Sequence, residues 1–149
     1  MLPLTRHHFK FELHEQMSSS YRNKQLFRAA QWIWAAFVFV VHVAPVDTER
    51  ASRFDFPFAD KWLHGALFFL LAAISVLSRD SKGEIRKAIL TILLACAAYG
   101  ACLEWVQYSF TDERSGDLLD WFADLLGALT GLATAALLEK YVRKLNPKY

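Results

Sequence analysis

Four long apolar segments occupy most of this 149-residue chain, and they constrain its fold more than any other feature. About 20 apolar residues are needed to cross the hydrocarbon core of a bilayer. The four segments are residues 29–45, 62–78, 88–110 and 118–138. A soluble protein of this length has too little polar chain to cover four such helices. The sequence therefore predicts an all-α fold, an integral membrane four-helix bundle.

The basic residues predict the orientation of this bundle, because cytoplasmic loops are enriched in Lys and Arg. Thirteen of the 17 Lys and Arg residues lie before residue 29, between residues 79 and 87, or after residue 139. We therefore expect both termini to be cytoplasmic. The predicted organisation is a loosely ordered or interfacial cytoplasmic tail (1–28), a membrane domain (29–138) and a cytoplasmic C-terminal tail (139–149).

Charge and cysteine content exclude two classes of protein. The net charge of +2 is too small for a nucleic-acid-binding protein, and no basic stripe is visible. Cys96 and Cys102 are six helical residues apart, about 9 Å, which is too far for a disulfide. Residues 1–28 do not have the pattern of a cleavable signal peptide, so we expect the first apolar segment to remain as a membrane anchor.

Polar residues gather at the predicted outer ends of the second, third and fourth segments, where they form helical stripes. These are Asp60, Lys61 and His64, then Glu104 and Gln107, then Asp117, Asp120 and Asp124. Arg114, in the intervening loop, can hold a carboxylate or a phosphate with two hydrogen bonds. Gly127 and Gly131 form a G-x-x-x-G pair that favours close helix packing. We therefore expect one polar cavity in the outer half of the bundle.

In order and spacing, these residues resemble the pattern of the VanZ-like family of small bacterial membrane proteins. The matching runs are Asp60-Lys61-x-x-His64, Tyr99-Gly100-x-x-x-Glu104-x-x-Gln107, Arg114-Ser115-x-x-x-x-Asp120 and Gly127-Ala128-x-x-Gly131. Asp124 departs from the family, which usually shows Asn there. The resemblance implies a multi-pass protein of the bacterial plasma membrane, and a founding member is linked to low-level resistance to teicoplanin. It supplies no defined reaction.

Ionisable residues inside membrane segments indicate function more often than simple packing. One hypothesis is an enzyme acting on a lipid-linked or cell-envelope substrate. Its catalytic residues would be His64 as general acid or base, with Glu104 and Asp120. The residues expected to bind the substrate are Asp60, Lys61, Gln107, Arg114 and Asp124. The alternative is a non-catalytic protein that sequesters or shields an amphiphile at the outer leaflet.

Other site types are less well supported by the sequence. A proton or ion path would need further polar residues in the inner halves of the segments. No H-x-x-x-H or H-E-x-x-H pair marks a metal site, so none is predicted, although His64, Glu104, Asp120 and Asp124 could together hold a divalent cation. We interpret His42 as a packed or interfacial histidine. A haem held by His42 and His64 would need both rings in one cavity. The expected partners are membrane lipids and a lipid-linked or envelope precursor.

Overall fold

The computed structural model describes residues 6–44, 58–79, 84–110 and 117–145, with side chains from residue 22 onward except that of residue 143. These residues form four helices and no strand. The helices are α1 (Arg6–Val43), α2 (Ala59–Ser78), α3 (Ile85–Phe110) and α4 (Leu118–Leu145). Each contains a segment long and apolar enough to cross a membrane: Arg22–Val43, Ala59–Ser78, Ile85–Phe110 and Leu118–Val142. The predicted all-α, four-helix membrane architecture is confirmed, while the cytoplasmic location of the termini stays a prediction.

Helix α1 begins earlier than the sequence analysis predicted. Residues 6–28, expected to be a loosely ordered or interfacial tail, continue the first membrane helix without a break. This segment contains neither Gly nor Pro, so nothing interrupts the helical backbone hydrogen bonds although its charge is high. Hydropathy detects the part of a helix that lies in lipid and misses a polar extension of the same helix.

Among the described residues, the most extensive contact between helices is the crossing of α2 and α4. A Cβ atom added at Gly127 would lie 2.8 Å from the Cα atom of Gly65 and closer still to its carbonyl oxygen. At Gly131, an added Cβ would be 3.0 Å from the Cα atom of Phe69. The two helices approach this closely only because both α4 positions lack a side chain. The predicted packing role of the G-x-x-x-G pair is confirmed.

Helices α1 and α3 pack against this central pair, and side chains donate hydrogen bonds to backbone carbonyls of neighbouring helices. Trp34 donates to Leu67, at 3.0 Å, and Tyr99 donates to Ala35, at 2.6 Å. Trp121 donates its indole N–H to the carbonyl oxygen of Ala97, at 3.0 Å. These bonds fix the rotation of each helix, which determines the residues that face the centre.

The apolar core and the lipid-facing surface lie on opposite sides of each helix. The core contains Val38, Leu67, Phe68, Leu71, Ala72, Val76, Cys96, Leu103, Ala128, Leu132 and Ala135. Large apolar side chains remain exposed on the outside of all four helices, as expected for a bundle solvated by lipid. At the end where α2 finishes, Arg79 pairs with Glu139, and Ser78 donates a hydrogen bond to Gln31.

Candidate functional site

The candidate site lies at the end of the bundle where α1 and α3 finish and α2 and α4 begin. His64 is in the second turn of α2, Asp124 is in the second turn of α4, and Glu104 is less than two turns before the end of α3. With a rise of 1.5 Å per residue, all three lie about 7–9 Å inside their helix ends. Because α2 and α4 run parallel to each other and α3 runs antiparallel to both, the three residues lie at one depth.

A buried histidine pair and two carboxylates form the centre of the site. His64 Nδ1 lies 3.1 Å from Asp124 Oδ1 and 3.3 Å from His42 Nε2, and Glu104 Oε1 is 4.0 Å away. His42 and Asp124 are each 1 % exposed, and His64 is 3 % exposed. Glu104 Oε1 and Asp124 Oδ2 are buried and make no hydrogen bond to the described residues. The centre thus has more buried acceptors than hydrogens to satisfy them.

Neighbouring residues hold the two histidines in place. His42 Nδ1 lies 2.7 Å from the carbonyl oxygen of Val38, so this nitrogen carries a hydrogen, and in the neutral ring Nε2 presents its lone pair to the centre. Gln107 donates a hydrogen bond to the carbonyl oxygen of His42, at 3.0 Å. The ring of Phe68 lies 6.2 Å from that of His42, measured between centroids. The centre is therefore packed on apolar and backbone atoms rather than open to water.

A charged layer, formed by Lys61, Asp117 and Asp120, lies between the buried centre and the helix ends. Lys61 Nζ lies 2.8 Å from both Asp117 Oδ2 and Asp120 Oδ1. The backbone N–H of Asp117 donates to Glu104 Oε2, at 2.9 Å, which links this layer to the buried centre. Asp117 precedes the membrane segment of α4, and the hydrogen bond from Lys61 holds the pKa of its carboxyl below the ordinary value.

The structure brings together most of the residues that the sequence analysis selected. His64, Glu104 and Asp124 meet in the buried centre, while Lys61 and Asp120 pair above it. The remaining selected residues lie as follows. Gln107 contacts the backbone of α1, Asp60 is exposed with a carboxylate oxygen within 4.8 Å of a ring nitrogen of His64, and Arg114 lies outside the described residues. The roles assigned to all of these residues stay predictions.

Two residues of the site were underestimated from the sequence. His42 was interpreted as a packed or interfacial histidine, yet its ring contacts that of His64, with centroids 4.5 Å apart. The signal was a titratable residue within an apolar helix, which faces the bundle interior in most membrane proteins. Asp117 was placed on a polar stripe but not in the site.

The direct contact of the His42 and His64 rings leaves no space for a haem between them.

An apolar groove runs along the outside of the α2–α4 crossing, beside the charged layer. It has a volume of about 770 Å³. Its lining comes from α2 and the residue before it, and from α4: Phe58, Lys61, Trp62, Gly65, Ala66, Phe69, Leu70, Ala123, Leu126, Gly127 and Thr130. Phe58, at the end near Lys61, has a positive φ of 62°, which is an unfavourable backbone conformation for a bulky residue. Lys61 thus belongs to both the groove and the charged layer.

Comparison with known proteins identifies the family of the chain. Searches of curated proteins and of solved structures found no significant match. The model of the family described as VanZ/LLP1 matches residues 4–139, which include the first three membrane segments, most of the fourth and every residue of the candidate site. The chain therefore belongs to the VanZ/LLP1 family.

Proposed function

We propose that this multi-pass membrane protein binds a lipid-linked molecule of the cell envelope, with the hydrocarbon chain in the α2–α4 groove and the polar end at the charged layer. The observation that supports this proposal is the groove, whose lining is largely apolar but includes Lys61 of the charged layer. The Lys and Arg distribution predicts that this end of the bundle is extracytoplasmic, so the ligand would come from the outer leaflet.

The dimensions of the groove suit one lipid chain. From Lys61 to Leu70 it follows nine residues of α2, or about 13 Å. One leaflet contributes half of the roughly 30 Å hydrocarbon core, about 15 Å. A chain from the leaflet that surrounds this end of α2 would therefore fill the groove along its length. Binding of this kind would shield or sequester the amphiphile, which would link the protein to envelope homeostasis or to resistance against glycopeptide-type antibiotics.

Photocrosslinking in nanodiscs tests this proposal. The protein is reconstituted with a phospholipid that carries a photoactivatable acyl chain, and the crosslinked peptides are identified by mass spectrometry. Ala66→Phe fills the groove, whereas Ala98→Phe adds the same ring to an exposed position of α3 outside it. We expect Ala66→Phe to lower crosslinking to α2 and α4 several-fold and Ala98→Phe to leave it unchanged. Equal crosslinking in both variants would refute the proposal.

A competition arm identifies the class of lipid. Unlabelled prenyl phosphate and unlabelled phospholipid are added at matched concentrations during photolysis. Preferential loss of the groove crosslink with prenyl phosphate would support a lipid-linked envelope precursor. Equal competition by both lipids would mean that the groove holds bulk lipid and would contradict the proposal.

Group transfer or hydrolysis at the polar end of the ligand is the second candidate function. The observation that favours it is the buried His64–Asp124 pair with Glu104 beside it, since such groups are costly to keep in a membrane without a role. A lipid inventory of cells that lack the protein, compared with cells that carry Glu104→Gln at normal abundance, tests it. Accumulation of the same precursor in both strains would support catalysis, and a normal inventory in both would oppose it.

A further inference from the structure

We propose that His42, His64, Asp124 and Glu104 form a binding site for a divalent transition-metal ion, with Zn²⁺ as the best-suited metal. This inference rests on the geometry of the buried centre and does not depend on what occupies the groove. Histidine nitrogens and carboxylate oxygens are the ligands of zinc sites that lack cysteine.

The number of hydrogens in the centre is the first argument for a cation. His64 Nδ1 carries at most one hydrogen, yet it faces three acceptors: His42 Nε2, Asp124 Oδ1 and Glu104 Oε1. In the neutral ring His42 Nε2 has no hydrogen to offer, because Nδ1 of the same ring donates to Val38. Buried polar atoms left without a partner are costly. A cation among these atoms would satisfy several of them at once.

The distances in the centre fit a tetrahedral site. Ligands bound to zinc at about 2.0–2.1 Å in a tetrahedron lie about 3.3–3.4 Å from one another. The His42 Nε2 to His64 Nδ1 distance is 3.3 Å, and the His64 Nδ1 to Asp124 Oδ1 distance is 3.1 Å. All three ligand atoms lie within 4.8 Å of one another. Glu104 Oε1, 4.0 Å from His64 Nδ1, is placed to be the fourth ligand after a small side-chain adjustment.

Residues around the proposed ligands provide the support that metal sites need. A metal-binding histidine usually donates its other ring N–H to a carbonyl or carboxylate, as His42 does to Val38. Two carboxylates, those of Asp124 and Glu104, would balance the charge of a divalent ion in an apolar environment. Imidazole ligands favour zinc and neighbouring transition metals over Mg²⁺ and Ca²⁺, which prefer oxygen.

This assignment differs from the acid–base role predicted for His64. A metal bound through Nδ1 would prevent that atom from accepting a proton. A second cluster, formed by Asp60, His64 and Asp120, shares His64. Asp120 is already paired with Lys61, and Asp60 is exposed, so this second cluster is less suited to hold an ion.

The test measures metal binding by the purified full chain in detergent. His7, His8 and His14 are replaced by Gln and a tag without histidine is used, so that no other imidazole of the chain binds metal. After incubation with Zn²⁺ and gel filtration, elemental analysis should find one Zn²⁺ per chain, and Co²⁺ should give the visible absorption of a tetrahedral site. Substoichiometric zinc without a cobalt spectrum would overturn the proposal, whatever the variants do.

Variants then assign the ligands. His42→Gln and Asp124→Asn should each weaken Zn²⁺ binding by more than about tenfold. Glu139→Gln, at the other end of the bundle, should not change it. Zn²⁺ should also raise the unfolding temperature of the parent protein and not that of His42→Gln. Binding that survives His42→Gln and is lost in Asp120→Asn would place the ion in the second cluster and refute this assignment. If His42→Gln fails to fold, Glu104→Gln replaces it, with weaker binding as the expected result and parental affinity as the refuting one.

Discussion

Replacing Gly127 by Ala tests the link between helix packing and the candidate site. The added Cβ would lie 2.8 Å from the Cα atom of Gly65, about 0.6 Å short of ordinary contact at 3.4 Å, and its overlap with the Gly65 carbonyl oxygen is larger. The obstacle is backbone, which cannot rotate away as a side chain can. Helices α2 and α4 therefore have to separate.

The expected magnitude follows from two opposing effects. Overpacking costs about 1–3 kcal/mol. Ala favours a helix over Gly by about 1 kcal/mol. Because the obstacle is rigid backbone, we expect the cost to lie in the upper part of its range, about 2–3 kcal/mol, and the variant to be less stable by about 1–2 kcal/mol. The same movement would lengthen the 3.1 Å contact between His64 and Asp124, which lie one residue before Gly65 and three before Gly127.

Gly65→Ala is the matched control, because it adds the same methyl group at the same crossing. Its Cβ would lie 3.5 Å from the carbonyl oxygen of Ala123, which is ordinary contact. We expect this variant to be as stable as the parent protein or slightly more stable. Tryptophan fluorescence during thermal unfolding in detergent measures both. Parental stability of Gly127→Ala, or an equal loss in Gly65→Ala, would refute the reasoning.

Three further predictions follow from the topology and the polar contacts. Reporter fusions at Tyr149 and near Arg50 should report opposite sides of the membrane, with Tyr149 cytoplasmic; the same side for both would contradict four crossings. Gln107→Leu should lower stability by about 1 kcal/mol in thermal unfolding, because the His42 carbonyl loses its side-chain donor, and an unchanged midpoint would mean that this bond contributes nothing. The ion pair of Asp117 with Lys61 should stabilise the protein above the ordinary carboxyl pKa, and this stabilisation should be lost as the pH falls through the lowered pKa. The unfolding temperatures of the parent protein and of Asp117→Asn, measured across acidic pH, should therefore converge at the lowest pH. A difference that stays constant with pH would contradict a stabilising ion pair.

The sequence alone was sufficient for the architecture, because the requirement to satisfy backbone hydrogen bonds in lipid leaves few alternatives. Long apolar segments predict membrane helices directly, and small residues at G-x-x-x-G spacing predict a close crossing, which Gly127 and Gly131 provide. Polar residues at helical spacing also indicated which faces of α2, α3 and α4 would meet. His64, Glu104 and Asp124 could therefore be selected as neighbours before any distance was known.

Tertiary structure decided what hydropathy cannot report. Residues 6–28 of α1 have the polar composition of a loosely ordered tail. Only the structure shows that they are helical and continuous with the membrane segment. His42 was interpreted as a packed or interfacial histidine, because its partner His64 is 22 residues away and reaches it only through the packing of two helices. Lys61 was predicted to bind the substrate, and only the packed helices show that its ammonium lies between Asp117 and Asp120. Spacing along one helix determines which side chains share a face, whereas contact between helices depends on their rotation and separation, which only the packed bundle defines.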